Sequence, residues 1–398
     1  MRILLLVPYE GIRGPLPKVV PLLGEALVRA GCDVATERWS RHADEESVLR
    51  RATGRLGDLL RIRARLRHEP FDVLFVTTAH DRNALVRDIP LLLATRRLCP
   101  HVVVQFHGSS SDRLVAPGSR SLKAATRVLL HRCDAVFVLS SEERDEFSAF
   151  FPRGRFEVVA NAFRPEPAPV RAEDTAGRAA RPPTPVEGKG AGGPHPGVDD
   201  LHAGTDDPAG RATGPTILFV GRLIVEKGIF ELLDAVAQVR RTTPCRLVVA
   251  GDGPACSRAR DRVRQLGLSD SVELAGYLTA ADLASAYDEA EIFVLPTYSE
   301  GFPTVLLEAM SAGLPIVTTP VRGAIDRLRD EENVLFVPPR SADRLAAALL
   351  RLIADPGLRA AMAKNNREKV KEFAPDAVSP RYVAVLQSVV GATVTSAG

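Results

Sequence analysis

Residues 290–320 read A-E-I-F-V-L-P-T-Y-S-E-G-F-P-T-V-L-L-E-A-M-S-A-G-L-P-I-V-T-T-P. The apolar run 292–295, closed by Pro296, predicts a short strand buried on both faces. Residues 297–302 are polar and predict a loop. Pro303 stands where a helix can begin, because the first helical position needs no N–H. Val305, Leu306, Ala309 and Met310 give that helix an apolar stripe, and Gly313 ends it. Residues 314–318 predict a second buried strand. Open α/β sheets present ligand sites on such strand–loop–helix–strand units, at the carboxyl ends of the strands.

Glu300 falls in the loop and Glu308 inside the helix. The free amides of the first turn, at Thr304 and Val305, point towards the Glu300 loop, and a helix N-terminus of this kind favours a phosphate. A carboxylate beside a phosphate site must bind something else, and hydroxyls are its natural partner. Taken alone, either glutamate reads equally well as a solvated carboxylate.

The whole stretch, with E-G-F-P-T-V-L-L-E at 300–308, closely resembles the retaining glycosyltransferases of family 4, the group 1 transferases. The resemblance implies that Glu300 contacts the sugar of a nucleotide-sugar donor and Glu308 its ribose hydroxyls. Gly301, Phe302, Pro303, Thr304 and Val305 then belong to the donor site. Residues 221–228, G-R-L-I-V-E-K-G, follow a predicted strand and precede a helical pattern. Arg222 and Lys227 are thus cations beside a helix N-terminus, the combination a diphosphate needs. The run resembles the family element whose Arg and Lys bind the donor diphosphate, with Gly221 at its start. Gly251 opens a close-approach loop, G-D-G-P. Gly276 and Tyr277 match the region that holds the base through backbone groups.

Residues 1–165 alternate apolar runs (3–7, 73–76, 102–106, 135–139, 156–159) with helical patterns such as 16–30 and 83–98. That alternation predicts a parallel sheet covered on both faces. After the first run, E-G-I-R-G-P places Gly14 where backbone approaches a ligand. It lacks the dinucleotide fingerprint G-x-G-x-x-G, and Pro15 stands where the resembled family has a second glycine. His107, in Q-F-H-G, ends a strand at a cleft position. The family's H-G pair implies that it lies near the donor sugar. Ala162, Asp326 and Val334 depart from the glycine, glutamate and glycine usual there.

Residues 48–68 predict an amphipathic helix whose apolar stripe is Leu49, Ala52, Leu56, Leu59, Leu60 and Leu66. Its other faces carry Arg61, Arg65 and five further arginines. Such a helix suits either an anionic lipid surface or water. The first half is also the basic one, with 26 Lys and Arg against 19 Asp and Glu in residues 1–165, although the whole chain carries only +3. Residues 166–213 hold eight Gly, eight Pro, no aromatic residue and four Val or Leu. That composition predicts a disordered linker. The five cysteines are scattered, with no C-x-x-C, as expected of reduced cytoplasmic thiols.

With 398 residues, two domains are expected. The fold class implied by the resemblance is α/β, with two Rossmann-like domains facing across a cleft, the GT-B arrangement. The first domain covers residues 1–165 and the donor-binding domain 214–374. A last helix over residues 375–391 returns to the first domain. The implied function is transfer of a sugar from a nucleotide-diphosphate donor to a glycan, lipid or small-molecule acceptor, with retention at the anomeric carbon. The rivals are a non-catalytic binding subunit and an enzyme that processes nucleotide sugars without transfer. No D-x-D pair occurs, so neither metal nor cofactor is expected, and nucleic acid is not among the expected partners. The expected location is the cytoplasm, with peripheral contact at the inner face of an anionic membrane.

Overall fold

The structure, a computed structural model, describes residues 1–9, 12, 14, 16–40, 42, 48–117, 119–164 and 214–395. The linker expected over residues 166–213 lies outside the described residues. Two six-stranded parallel sheets form the frame. The first contains β1 (Arg2–Val7), β2 (Asp33–Arg38), β3 (Val73–His80), β4 (His101–Ser109), β5 (Ala135–Val138) and β6 (Phe156–Val158), in the order β2-β1-β3-β4-β5-β6. The second contains β7 (Thr216–Val220), β8 (Arg246–Ala250), β9 (Val272–Gly276), β10 (Ile292–Leu295), β11 (Ile316–Thr318) and β12 (Val334–Phe336), in the order β12-β11-β10-β7-β8-β9.

The central strands are mostly apolar because helices cover both sheet faces, with polar residues such as Thr77, Thr78 and Gln105 towards the carboxyl ends of β3 and β4. Residues 3–6 of β1 and all of β5 and β10 are buried. The β2 edge strand has no such run: D-V-A-T-E-R is exposed or half-buried throughout. It pairs in register with β1 from Arg2↔Asp33 to Val7↔Arg38. Side chains cap several of the helices. Asp81 accepts from the Ala84 amide at 2.9 Å and Ser140 from the Glu143 amide at 3.1 Å, satisfying amides the first turn leaves open.

One face of the first sheet carries the helices Val48–His68, Arg82–Thr95, Arg120–Leu130 and Ser141–Phe150. The other carries Leu16–Arg29 and the C-terminal helix Pro375–Thr395. The chain therefore crosses back after the second sheet. Tyr382, Val385, Leu386 and Val389 pack with Ile3, Leu5, Phe75 and Phe137 in one core. The Tyr382 hydroxyl accepts from Gln105 Nε2 at 2.7 Å and donates to the Ala160 carbonyl at 3.0 Å.

Helix Val48–His68 has the expected span, and Leu59 and Leu66 of the expected stripe pack on the core, but its inner face is turned from the one expected at two leucines. Leu56 and Leu60 are 56% and 57% exposed, whereas Asp58, Ile62 and Leu66 are buried. The inward carboxylate is satisfied by the Tyr9 hydroxyl at 2.5 Å, His42 Nε2 at 3.1 Å and Arg61 at 2.8 Å. Arg61 and Arg65 also reach Glu37 on β2, both at 2.9 Å. Polar partners from β2 rotated a helix whose leucines alone suggested another face.

Candidate active site

The strand order of the second sheet reverses at β7, which has β8 on one side and β10 on the other. A crevice opens where connections leave neighbouring strands in opposite directions. Lys227, from the loop after β7, and Glu300, from the loop after β10, meet there as an ion pair. The loops are tied by backbone: the Glu226 carbonyl accepts from the Tyr298 amide at 2.8 Å and the Thr297 hydroxyl at 3.2 Å. Gly228 explains why a glycine follows the lysine. Its φ is 73°, and a Cβ there would collide with the Pro296 carbonyl. Both side chains of the ion pair are 22% exposed, and burial lowers the Lys227 pKa to about 8. Arg222 lies exposed at the mouth of the same loop.

Beyond Glu300 the chain turns into the helix Thr304–Ser311, with Pro303 as its N-cap residue, so the helix starts one position later than the sequence pattern suggests. Thr304 and Glu308 line a cavity of about 410 Å³ between the two halves. Lys18, Val19, Leu22 and Phe163 face them from the first half. One Glu308 oxygen accepts from Lys18 Nζ at 2.8 Å and the other from the Tyr287 hydroxyl at 3.0 Å. Tyr287 is buried, which raises its phenol pKa. Neither Lys18 nor Tyr287 stood out in the sequence, although Lys18 follows the Gly14 loop closely.

The other expected site residues divide. Gly301 sits at the join of the halves: a Cβ there would lie 3.3 Å from Leu139 and 3.7 Å from Glu143 Oε1. Phe302 is 7% exposed and stacks on Phe373 at 5.3 Å, so its side chain belongs to the core rather than to a ligand surface. Val305 is half-buried against the same core. Gly221 and Gly251 serve strand packing, since a Cβ on Gly251 (φ 147°) would collide with the Gly221 carbonyl. Gly276 (φ 68°) and Gly14 (φ 131°) instead border open space, and Tyr277 beside Gly276 is 63% exposed.

His107 lies near the carboxyl end of β4 with both ring nitrogens buried. Desolvation lowers its pKa to about 4, with Asn161 acting the other way, so the ring is neutral at pH 7. Its strand end reaches the Glu300 loop through Glu143. That carboxylate accepts from the Ser109 hydroxyl at 2.6 Å and the Leu139 amide at 2.9 Å, next to Gly301.

Asp326 closes the cleft at a second point. Its carboxylate accepts from the Ser141 amide and hydroxyl, both at 2.6 Å, so it caps a helix of the opposite half. Arg322 reaches Ser111 at 2.6 Å and Glu146 at 3.0 Å beside it. Sequence pattern marked Asp326 only as a departure, because nothing local says that its partner is 185 residues away.

Comparison with known proteins agrees with this geometry. Residues 206–369 match the model for glycosyl transferases group 1, and residues 18–166 the model for glycosyltransferase family 4. The alpha-D-kanosaminyltransferase of Streptomyces kanamyceticus is 36% identical over 152 residues, 38% of this chain and 39% of that protein. The D-inositol 3-phosphate glycosyltransferase of Salinispora arenicola is 33% identical over 197 residues, 46% of this chain and 43% of that one. The match thus spans about two-fifths of the length of these relatives. The solved sucrose-phosphate synthase of Thermosynechococcus elongatus superposes with a TM-score of 0.71 at 21% identity, covering 98% of this chain and 99% of its own. Two family models, one on each half, and a matching two-sheet fold place the chain among the group 1 glycosyltransferases with the GT-B fold.

Proposed function

We propose that the protein transfers a sugar from a nucleoside-diphosphate donor to a glycan, a lipid-linked saccharide or a small hydroxylated acceptor, with retention at the anomeric carbon. The observation that carries this reading is the Lys227–Glu300 pair at the reversal point of the second sheet, with Glu308 in the adjoining cavity. As the bond from the anomeric carbon to the phosphate oxygen breaks, the electron pair stays on the diphosphate. Lys227, Arg222 and the first-turn amides of helix Thr304–Ser311 face that growing charge. Stabilisation by fixed donors of this kind is commonly the largest catalytic contribution. These groups supply the positive charge from the protein, so the proposal assigns no metal and no cofactor.

Glu308 takes the ribose hydroxyls, and Glu300 a hydroxyl of the donor sugar once the diphosphate has engaged Lys227. Neutral His107 can donate one hydrogen bond to the sugar and accept another. Gly14, Gly276 and Tyr277 border the space left for the diphosphate and the base. The relatives' names, a kanosaminyltransferase and an inositol-phosphate glycosyltransferase, support a sugar donor and leave the acceptor wide. Transfer is assigned to the cytoplasm, in keeping with five free cysteines.

The test is a thermal-shift series with UDP-, GDP-, ADP- and dTDP-sugars, followed by product analysis of the stabilising donor with and without added acceptors. One donor raising the melting temperature and then yielding a glycoside supports transfer. Hydrolysis alone, whatever the acceptor, would favour a nucleotide-sugar hydrolase. No stabilisation by any donor would point to a binding subunit.

A further inference from the structure

The helices Val48–His68, Arg82–Thr95 and Arg120–Leu130 lie side by side on one face of the first sheet. Their sequences contain only two carboxylates, Asp58 and Asp88. Both are turned inward, 2% and 1% exposed. Asp58 is held by Tyr9, His42 and Arg61, and Asp88 by Trp39 at 2.8 Å, Thr78 at 2.5 Å and Arg87 at 2.6 Å. The outer faces of the helices themselves therefore carry no carboxylate, and the acidic groups beside them, Asp81 and Glu69, stand at helix ends.

That surface is also unusually apolar. Leu56 (56% exposed), Leu60 (57%), Val86 (71%), Leu93 (54%) and Val128 (37%) are five of the ten large hydrophobic side chains exposed among the described residues. Spacings of four (Leu56, Leu60) and seven (Val86, Leu93) positions keep each pair on one outward stripe of its helix, and Val128 stands on the third. Exposed Arg67, Arg82, Arg120 and Arg127 stand around them. The fourth helix of the layer, Ser141–Phe150, ends the surface, with Glu142 and Asp145 50% and 68% exposed.

We propose that this three-helix face docks on an anionic lipid bilayer. Apolar side chains at its centre fit the boundary between headgroups and acyl chains, and arginines around them fit anionic headgroups. With both of their carboxylates turned inward, these helices set no negative charge of their own against an anionic headgroup. The face flanks the sheet, and the cleft opens at the strand ends, so docking leaves the cleft uncovered for a lipid-borne acceptor. Arg61 and Arg65, which sequence reading offers to the membrane, are instead spent on Glu37, Asp58 and Glu69.

The experiment is sedimentation of the full chain with vesicles of phosphatidylcholine alone and of equimolar phosphatidylcholine and phosphatidylglycerol, at low and high salt. Binding is expected only to the anionic vesicles and is expected to weaken with salt. Arg67→Glu with Arg127→Glu should weaken it by about tenfold or more. Leu60→Gln with Leu93→Gln, at exposed positions that spare the core, should weaken it as well, and Arg260→Glu on the second half should not. Melting curves confirm that each variant folds, and donor stabilisation is read separately, so loss of lipid binding is distinct from failure of the transferase reading. Equal binding to both vesicles, or no binding at low salt, would overturn the proposal. So would a dimer in light scattering that the leucine pair converts to a monomer, since a second copy would then be what covers the face.

Discussion

Lys18 Nζ stands 2.8 Å from Glu308 Oε1, which joins the first half of the chain to the carboxylate assigned to the donor ribose. Lys18 is 64% exposed and Glu308 15%, so the pair is screened on one side and is worth less than about 1 kcal/mol to stability. Lys18→Ala is therefore expected to leave the melting temperature nearly unchanged. Glu308→Ala should act on the donor instead. Ribose is the same in ground and transition states, so the loss, on the order of 1.5–3 kcal/mol, should appear in donor KM with kcat largely kept. Steady-state kinetics on both variants checks this. A Glu308→Ala enzyme with parental KM would remove the ribose from this carboxylate.

Lys227 gives the reaction a pH limb. Its pKa is lowered to about 8 by burial, so the ammonium is present at neutral pH and is lost as pH rises through that value. The kcat/KM for donor, which reports the free enzyme, should fall above about pH 8. Lys227→Arg should move that limb out of range, because guanidinium stays charged, whereas Lys227→Ala should lower kcat by about 10²–10³. An alkaline limb unchanged in the arginine variant would mean that another group titrates.

Acid should unfold the protein early. Burial lowers both His80 and His107 to about 4, against 6.5 in the unfolded chain. A neutral folded imidazole contributes stability that is full above 6.5 and is lost as pH falls towards 4. Between pH 7 and pH 5 each should cost about 2 kcal/mol. Urea denaturation at the two pH values, on the parent and on His80→Gln and His107→Gln, reads it directly. Equal losses in parent and variants would place the acid sensitivity elsewhere.

Arg61→Glu tests the rotated helix. The variant sets a second carboxylate against buried Asp58 and nearby Glu37. Removing a partner from a fully buried pair costs about 3–5 kcal/mol. With Arg61 46% exposed, roughly 2–3 kcal/mol is expected once solvent screening is allowed for. A melting temperature equal to the parent's would contradict the inward pairing.

The parts visible in the sequence were those with a local cause. Runs such as I-F-V-L at 292–295 can hardly be anything but a buried strand, and G-R-L-I-V-E-K-G put Lys227 where β7 ends. Edge strand β2 escaped notice because its polar residues show no alternation, and its partner β1 alone defines it. Phe302 sits inside a donor motif, yet its ring packs on Phe373, a residue no motif names. Lys18, Tyr287, Glu143 and the Ser141–Asp326 contact depend on pairings between distant elements, for which one sequence carries no signal.

The crossover of helix Pro375–Thr395 makes the first folding unit discontinuous in the chain. Ile3, Leu5, Phe75 and Phe137 find part of their cover in Tyr382, Val385, Leu386 and Val389, so one face of the first sheet is covered by helix Leu16–Arg29 alone until helix Pro375–Thr395 has been made. Domains usually fold in order of synthesis, but here the first sheet must wait for a helix made after the second sheet, which can finish before it. A fragment cut after residue 164 would thus carry an apolar face only partly covered, by helix Leu16–Arg29. Any dissection of the two halves has to supply the final helix in trans or fuse it to the first.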